Sequence, residues 1–144
     1  MVTQLALGTA LVAVTVLIHT VGLAALGHWT PKVAAWLRFH RHDLGRAIMM
    51  VTTVLGIFIL HTTEVWVWAA VFAAVHAVPG FYNALYLSTV MFSTVGYGEI
   101  SVAASWRLLV ALESINGFIL IGWSTAYLVG ASTRHGPFRA NKHF

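Results

Sequence analysis

From Leu5 to Gly27 the chain runs for 23 residues with a single ionisable side chain, His19. Coiled as a helix at 1.5 Å per residue, such a run exceeds the roughly 20 residues that cross a bilayer's hydrocarbon core. Two more runs share this character. Ala47 to Val78 is broken by His61, Glu64 and, near its end, His76, and Trp106 to Val129 carries as charges only Arg107, at its start, and Glu113. Eight Lys/Arg and four Asp/Glu serve 144 positions, so 8% of the residues are charged, against about 25% in a soluble domain. With a mean hydropathy of +0.83, most of the outer surface has to face something other than water. That excludes a soluble enzyme and a disordered tail, and the absence of cysteine excludes a disulfide scaffold and thiolate metal sites. The net charge of +4 points to no nucleic-acid partner, because the basic residues flank the apolar runs instead of forming one patch. The expectation is an all-α, multi-pass integral membrane protein.

A cleaved signal peptide is the alternative for the first run. Residues 1–4 offer no positive charge, and the run outlasts the usual apolar region of about 7–15 residues, so 1–27 reads as a transmembrane helix. Residues 28–46 then gather His28, Lys32, Arg38, His40, Arg41, His42, Asp43 and Arg46. Thr30-Pro31 reads as an N-cap with proline at the first helical position. Val33, Trp36, Leu37 and Leu44 recur at helical spacing opposite the basic residues, which describes an amphipathic helix in the membrane interface, with anionic lipid as its partner. A solvated basic loop is the plainer alternative. The run 47–78 reads as one helix with an extended outer end, near which Trp66 and Trp68 suit an aromatic belt. Pro79-Gly80 breaks the chain, and the 13 apolar residues from Phe81 to Ser93 suit a re-entrant segment, since they are too few for a span. A final helix over 105–129 precedes a basic tail, 131–144. If the segment 79–98 dips in and returns, seven of the eight Lys/Arg lie on one side. The positive-inside bias makes that side cytoplasmic, with the N-terminus, Glu99 and Arg107 outside. A small chain of this kind fits a bacterial inner membrane.

Between the re-entrant segment and the last run stands Thr94-Val95-Gly96-Tyr97-Gly98. Non-helical backbone at membrane depth is tolerated only where protein buries it or a watery path runs beside it. This string is the potassium-channel filter signature. The stretch from Gly80 to Val129 resembles the pore module of the tetrameric potassium channels, above all in Phe81-Tyr-Asn-Ala-Leu-Tyr-Leu-Ser-Thr-Val-Met-Phe-Ser-Thr-Val-Gly-Tyr-Gly-Glu-Ile100. That stretch is especially similar to small bacterial two-pore-domain-like members. The resemblance implies a pore module over 47–130: outer helix 47–78, pore helix 82–93, filter 94–98 and inner helix 105–129, with 1–27 as an extra helix whose role it leaves open. It implies a homotetramer, three identical subunits joining each chain, because one chain holds one strand of the filter. Potassium ions would lie between rings of carbonyl oxygens from Thr94, Val95, Gly96 and Tyr97, with the Thr94 hydroxyl closing the inner end. The strand needs unusual dihedrals at alternate positions, which Gly96 and Gly98 supply at little steric cost. The pore helix would aim its partly negative C-terminal end at the ion. Gly98 and Glu99 support the filter, Gly117 matches the inner-helix hinge, and Phe118, Ile121, Thr125 and Val129 would line the cavity. Two departures stand out: Glu99 replaces the more usual Asp, and Ser93 a common Thr.

Carboxylates inside the bilayer are expensive, about 2.5–3.5 kcal/mol on insertion scales, and are functional candidates by default. His61, Glu64 and Glu113 are expected to form one buried hydrogen-bonded group bracing the pore helix, with gating by protonation as the sharper alternative. His61-Thr-Thr-Glu64 lacks the paired histidines of a zinc-protease helix. His28, His40, His42, His135 and His143 read as solvated. No organic cofactor and no catalysis are expected. The functional expectation is a passive potassium-selective channel; the alternatives are a poorly selective cation channel and a non-conducting pore-fold subunit. A potassium-uptake subunit would carry four degenerate repeats where this chain carries one complete motif. A voltage sensor would need arginines at every third position within an apolar helix. Arg38 and Arg41 have that spacing but lie in the polar connector.

Overall fold

The computed structural model describes residues 1–36 and 43–135. It consists of four helices: α1 (Val2–Trp36), α2 (Asp43–Ala74), α3 (Phe81–Phe92) and α4 (Arg107–His135), the last entered through a single 3-10 turn at Ala104–Trp106. Among the described residues three segments are long and apolar enough to cross a membrane: Val2–Val33, Gly45–Ala74 and Ala104–Thr133. At 12 residues, α3 is too short to do so. The chain is therefore a multi-pass membrane protein of helical type.

Between membrane helices there is little hydrophobic driving force, so close packing and polar contacts hold them together. Glycines receive leucines here. A Cβ placed on Gly22 would lie 2.5 Å from Leu60, and one on Gly56 only 2.3 Å from Leu26. Each helix of the α1–α2 pair thus offers a notch to the other's leucine, and the crossed numbering shows that the two run antiparallel. Gly8 of α1 receives Leu112 of α4 in the same way, at 2.4 Å. Asn116 Nδ2 adds a hydrogen bond to Thr15 Oγ1 at 2.9 Å. The main core lies where α3 wedges between α2 and α4, around Trp68, Phe72, Ala84, Leu87, Leu109 and Leu120.

The segment boundaries differ from the sequence reading in instructive ways. Helix α1 does not stop at Gly27 for a new helix to begin at Thr30; it continues to Trp36 with Pro31 inside. Proline's fixed φ suits a helix, and its missing N–H and the clash of its ring both fall on one carbonyl, that of Gly27, at a cost of about 3 kcal/mol. Across the proline, Lys32 Nζ reaches His28 Nε2 at 2.7 Å and lies 5.1 Å from the Trp29 ring. The rest of the expected interfacial helix, including Leu37, Arg38, His40, Arg41 and His42, lies outside the described residues, as do residues 136–144 of the tail. Helix α2 begins at Asp43 and ends at Ala74, four residues short of Val78. His76, with φ 54°, takes the left-handed position usually given to glycine. Its N–H bonds the Ala73 carbonyl at 3.1 Å, and the Ala77 N–H bonds that of Phe72 at 2.9 Å. Ala77 and Phe72 share the core, so the helix stops where its end can be both capped and packed. Helix α4, expected over 105–129, starts at Arg107 and runs six residues beyond Val129, to His135.

Candidate functional site

The strand after α3 is hung from that helix. The Ser93 N–H bonds the Thr89 carbonyl at 3.2 Å and the Thr94 N–H that of Met91 at 3.0 Å. The Val90 carbonyl takes two amides, from Val95 at 3.1 Å and Gly96 at 3.4 Å. Beyond this anchor the backbone alternates in hand: Thr94, Gly96 and Gly98 have φ of 62°, 58° and 73°. Val95 and Tyr97, between them, stay on the negative side. The alternation the sequence suggested at two glycines begins one step earlier, at Thr94. A threonine at positive φ is a strained β-branched residue, held by the amide bonds on either side of it.

Residues 94–98 all lie exposed on the single chain, Val95 at 52% and Tyr97 at 69%. So do Phe118, Ile121, Thr125 and Val129 on α4. Thr125 Oγ1 bonds the Ile121 carbonyl one turn back at 2.9 Å, which leaves no unserved hydroxyl on that face. Beside the C-terminal end of the strand a recess of about 620 Å3 opens, bounded by Met91, Gly98, Glu99, Ile100, Arg107 and Ser114. Tyr86 of α3 donates its hydroxyl to Glu99 at 3.1 Å, fastening the strand's exit to the helix that begins it. The hydrogen bond to the Glu99 carboxylate pushes the pKa of the Tyr86 phenol up, because ionising the phenol gives that bond away, and the carboxylate's negative charge adds to the effect.

Gly117 meets the base of this unit. A Cβ on it would lie 2.2 Å from the Phe92 carbonyl oxygen and 2.8 Å from the Phe92 carbonyl carbon and Cα. Glycine is required there because α4 touches the backbone of α3's last turn.

The buried acids separate into two groups, where one group of His61, Glu64 and Glu113 was expected. Glu113, fully buried, accepts from Ser88 of α3. Ser88 Oγ also lies 2.8 Å from the Val65 carbonyl of α2, so three helices meet at one hydroxyl. Glu64 instead faces α1: His19 Nδ1 lies 2.8 Å from Oε1 and His61 Nδ1 lies 2.9 Å from Oε2. Both imidazoles turn their Nε2 atoms toward Ser124 of α4, at 3.4 Å from His19 and 3.0 Å from His61. Helix geometry explains the split, since consecutive positions lie about 100° apart. Val65 and Glu64 therefore look toward different neighbours.

Sequence reasoning passed over His19, Ser88 and Ser124. The signal for His19 was present: it is an ionisable residue within a span, and the default that singled out the two glutamates applies to it equally. Ser88 and Ser124 carried no such signal, because a serine inside a helix ordinarily bonds its own backbone.

A family model described as an ion channel matches residues 60–134, just over half of the chain. The match takes in the C-terminal half of α2, all of α3, the strand and nearly all of α4; α1 lies outside it. No curated protein and no solved structure gives a significant match.

Proposed function

As a member of the ion-channel family the chain is a channel protein of the membrane, and from that premise we propose that it conducts potassium ions passively through a four-fold filter built from residues 94–98. The observation that carries this reading is the alternating hand of the backbone at Thr94, Gly96 and Gly98. Residues that alternate between right- and left-handed φ turn successive carbonyls toward the same side. Four copies about an axis then stack rings of oxygens from Thr94, Val95, Gly96 and Tyr97 that replace the water of a bare cation. One chain makes only one wall of such a path. The exposure of Val95 and Tyr97, and of Phe118, Ile121, Thr125 and Val129 below them, suits a protein completed by three further copies of itself. The C-terminal end of α3 contributes its partial negative charge beneath the strand. No organic cofactor enters this reading.

In this arrangement α3 and the strand enter from the outer face, with the N-terminus outside and the basic residues of 28–46 and 131–144 in the cytoplasm against anionic lipid. The membrane that fits is a bacterial inner membrane. The test is a planar bilayer holding the purified protein, with potassium on one side and sodium on the other. A reversal potential displaced toward the potassium equilibrium value is expected. Current that reverses near zero refutes potassium selectivity, and persistent absence of current refutes conduction.

A further inference from the structure

The centre formed by His19, His61 and Glu64 lies outside the conducting strand and takes no part in the function proposed above. His19 and Glu64 are fully buried, and His61 keeps 18% of its side chain exposed. One nitrogen from each imidazole and one carboxylate oxygen lie within 4.8 Å of one another. Four polar contacts close a ring: two from the imidazole Nδ1 atoms to the carboxylate, and two from the Nε2 atoms to the Ser124 hydroxyl. A neutral imidazole carries one N–H and a serine one O–H. Two imidazoles and one serine therefore supply three hydrogens for four contacts, around a carboxylate whose ion-pair partners, among the described residues, are those same imidazoles. The ring lacks one positive centre.

We propose that His19, His61 and Glu64 bind one divalent transition-metal ion of the zinc class, which pins α1 to α2. Two imidazole nitrogens with a carboxylate are a donor set for zinc, nickel or copper, whereas magnesium and calcium prefer oxygen alone. With the ion held by both Nδ1 atoms and by Glu64, each imidazole carries its hydrogen on Nε2. Both N–H groups then donate to the Ser124 oxygen, which has two lone pairs to receive them. A ligating histidine that fixes its ring through its other nitrogen is the usual arrangement around such ions. Zinc takes nitrogen and oxygen at about 2.0–2.2 Å, which sets tetrahedral donors about 3.4 Å apart, so the imidazole–carboxylate pairs now at 2.8 and 2.9 Å open slightly to admit the ion. The Trp123 ring at 5.4 Å from His19 and the Phe92 ring at 5.4 Å from His61 keep the imidazoles from swinging away. The exposed edge of His61 is the way in. Because His19 belongs to the helix outside the family match and Phe92 ends α3, the ion would couple that extra helix to the foot of the filter.

The test uses the full-length protein, loaded with zinc in detergent, desalted and assayed for bound metal. Wild type is expected to keep about one ion per chain, while H19Q and E64Q lose it. The chain has no cysteine, so H19C loaded with cobalt adds a reporter that a merely structural histidine would not move. A thiolate-to-cobalt absorption band in the near ultraviolet appears only if position 19 holds the metal. Zinc retained undiminished by H19Q, a wild-type chain that emerges metal-free, or cobalt bound by H19C without that band each overturns the proposal. The ring would then be completed by a proton and serve as a hydrogen-bonded brace.

Discussion

Replacing Gly117 by alanine sets a single methyl group against the backbone of α3. That carbon would lie 2.2 Å from the Phe92 carbonyl oxygen, about 1.2 Å inside the 3.4 Å at which ordinary contact begins. No rotamer relieves the clash, because the atoms met are main chain. Either α4 or the last turn of α3 has to move by roughly an ångström. Overpacking of a tight interior costs about 1–3 kcal/mol, and contact with rigid backbone places this case at the upper end. Alanine's better helix propensity returns about 1 kcal/mol, so a net loss of about 1–2 kcal/mol is expected. Gly130, on the same helix, is the control: a Cβ there meets nothing within 4 Å, and G130A should be neutral or stabilising. Thermal unfolding in detergent compares the two variants directly. The strand hangs from the Val90 and Met91 carbonyls, two and one residues before Phe92, so displacement at Phe92 reaches the proposed filter. In the bilayer assay G117A is therefore expected to show weakened ion discrimination, with a reversal potential moved toward zero. If G117A and G130A unfold at the same temperature and reverse at the same potential, the close approach of α4 to α3 has no energetic weight. A position acting purely as a hinge would alter opening while leaving both quantities unchanged.

Ser88→Ala should cost about 1–3 kcal/mol by leaving the buried Glu113 without its hydroxyl partner; Glu113→Gln, which can still bond Ser88, should cost clearly less, and thermal unfolding of both checks the order. Leu60→Ala empties the notch at Gly22 and should destabilise by about 2 kcal/mol or more, read as a lower unfolding temperature, whereas Val51→Ala, on an exposed face of α2, should change little. Tyr86 is expected to ionise at higher pH than a free tyrosine because Glu99 lies against it. The Tyr86–Glu99 bond is thus intact below the phenol's ordinary range and is lost as pH rises through its raised value. An ultraviolet titration, with Y86F as the subtraction control, should move to lower pH in E99Q; an unmoved titration would dismiss the contact.

The topology was legible because it rests on run lengths. Three apolar stretches exceed the bilayer and a fourth falls short, and those numbers set the order of the helices before any contact is known. The strand was legible because alternate glycines announce an alternating backbone. Thr94 hid its part in that pattern, since the amide bonds to Val90 and Met91 that force its φ positive are tertiary facts. Pro31 misled for a related reason. As a helix start it obeys every local rule, yet the helix before it loses only one carbonyl partner by continuing. The buried acids show a further limit. Spacing located Glu64 and Glu113 on their helices, but which neighbour each met depended on how α1 packs. Nothing in the strand motif constrains α1, and so the pairing of His19 with Glu64 lay beyond pattern reading.

The reciprocal notches of α1 and α2 bear on the order in which the protein is made. Gly22 with Leu60, Leu26 with Gly56, and His19 with Glu64 all lie within the first 64 residues. The antiparallel pair can therefore close in the membrane while the strand is still inside the ribosome, since chains are made N-terminus first. A helical hairpin already zipped and already carrying its polar centre would then receive α3 against a finished wall, so that the strained strand is the last part required to find its shape.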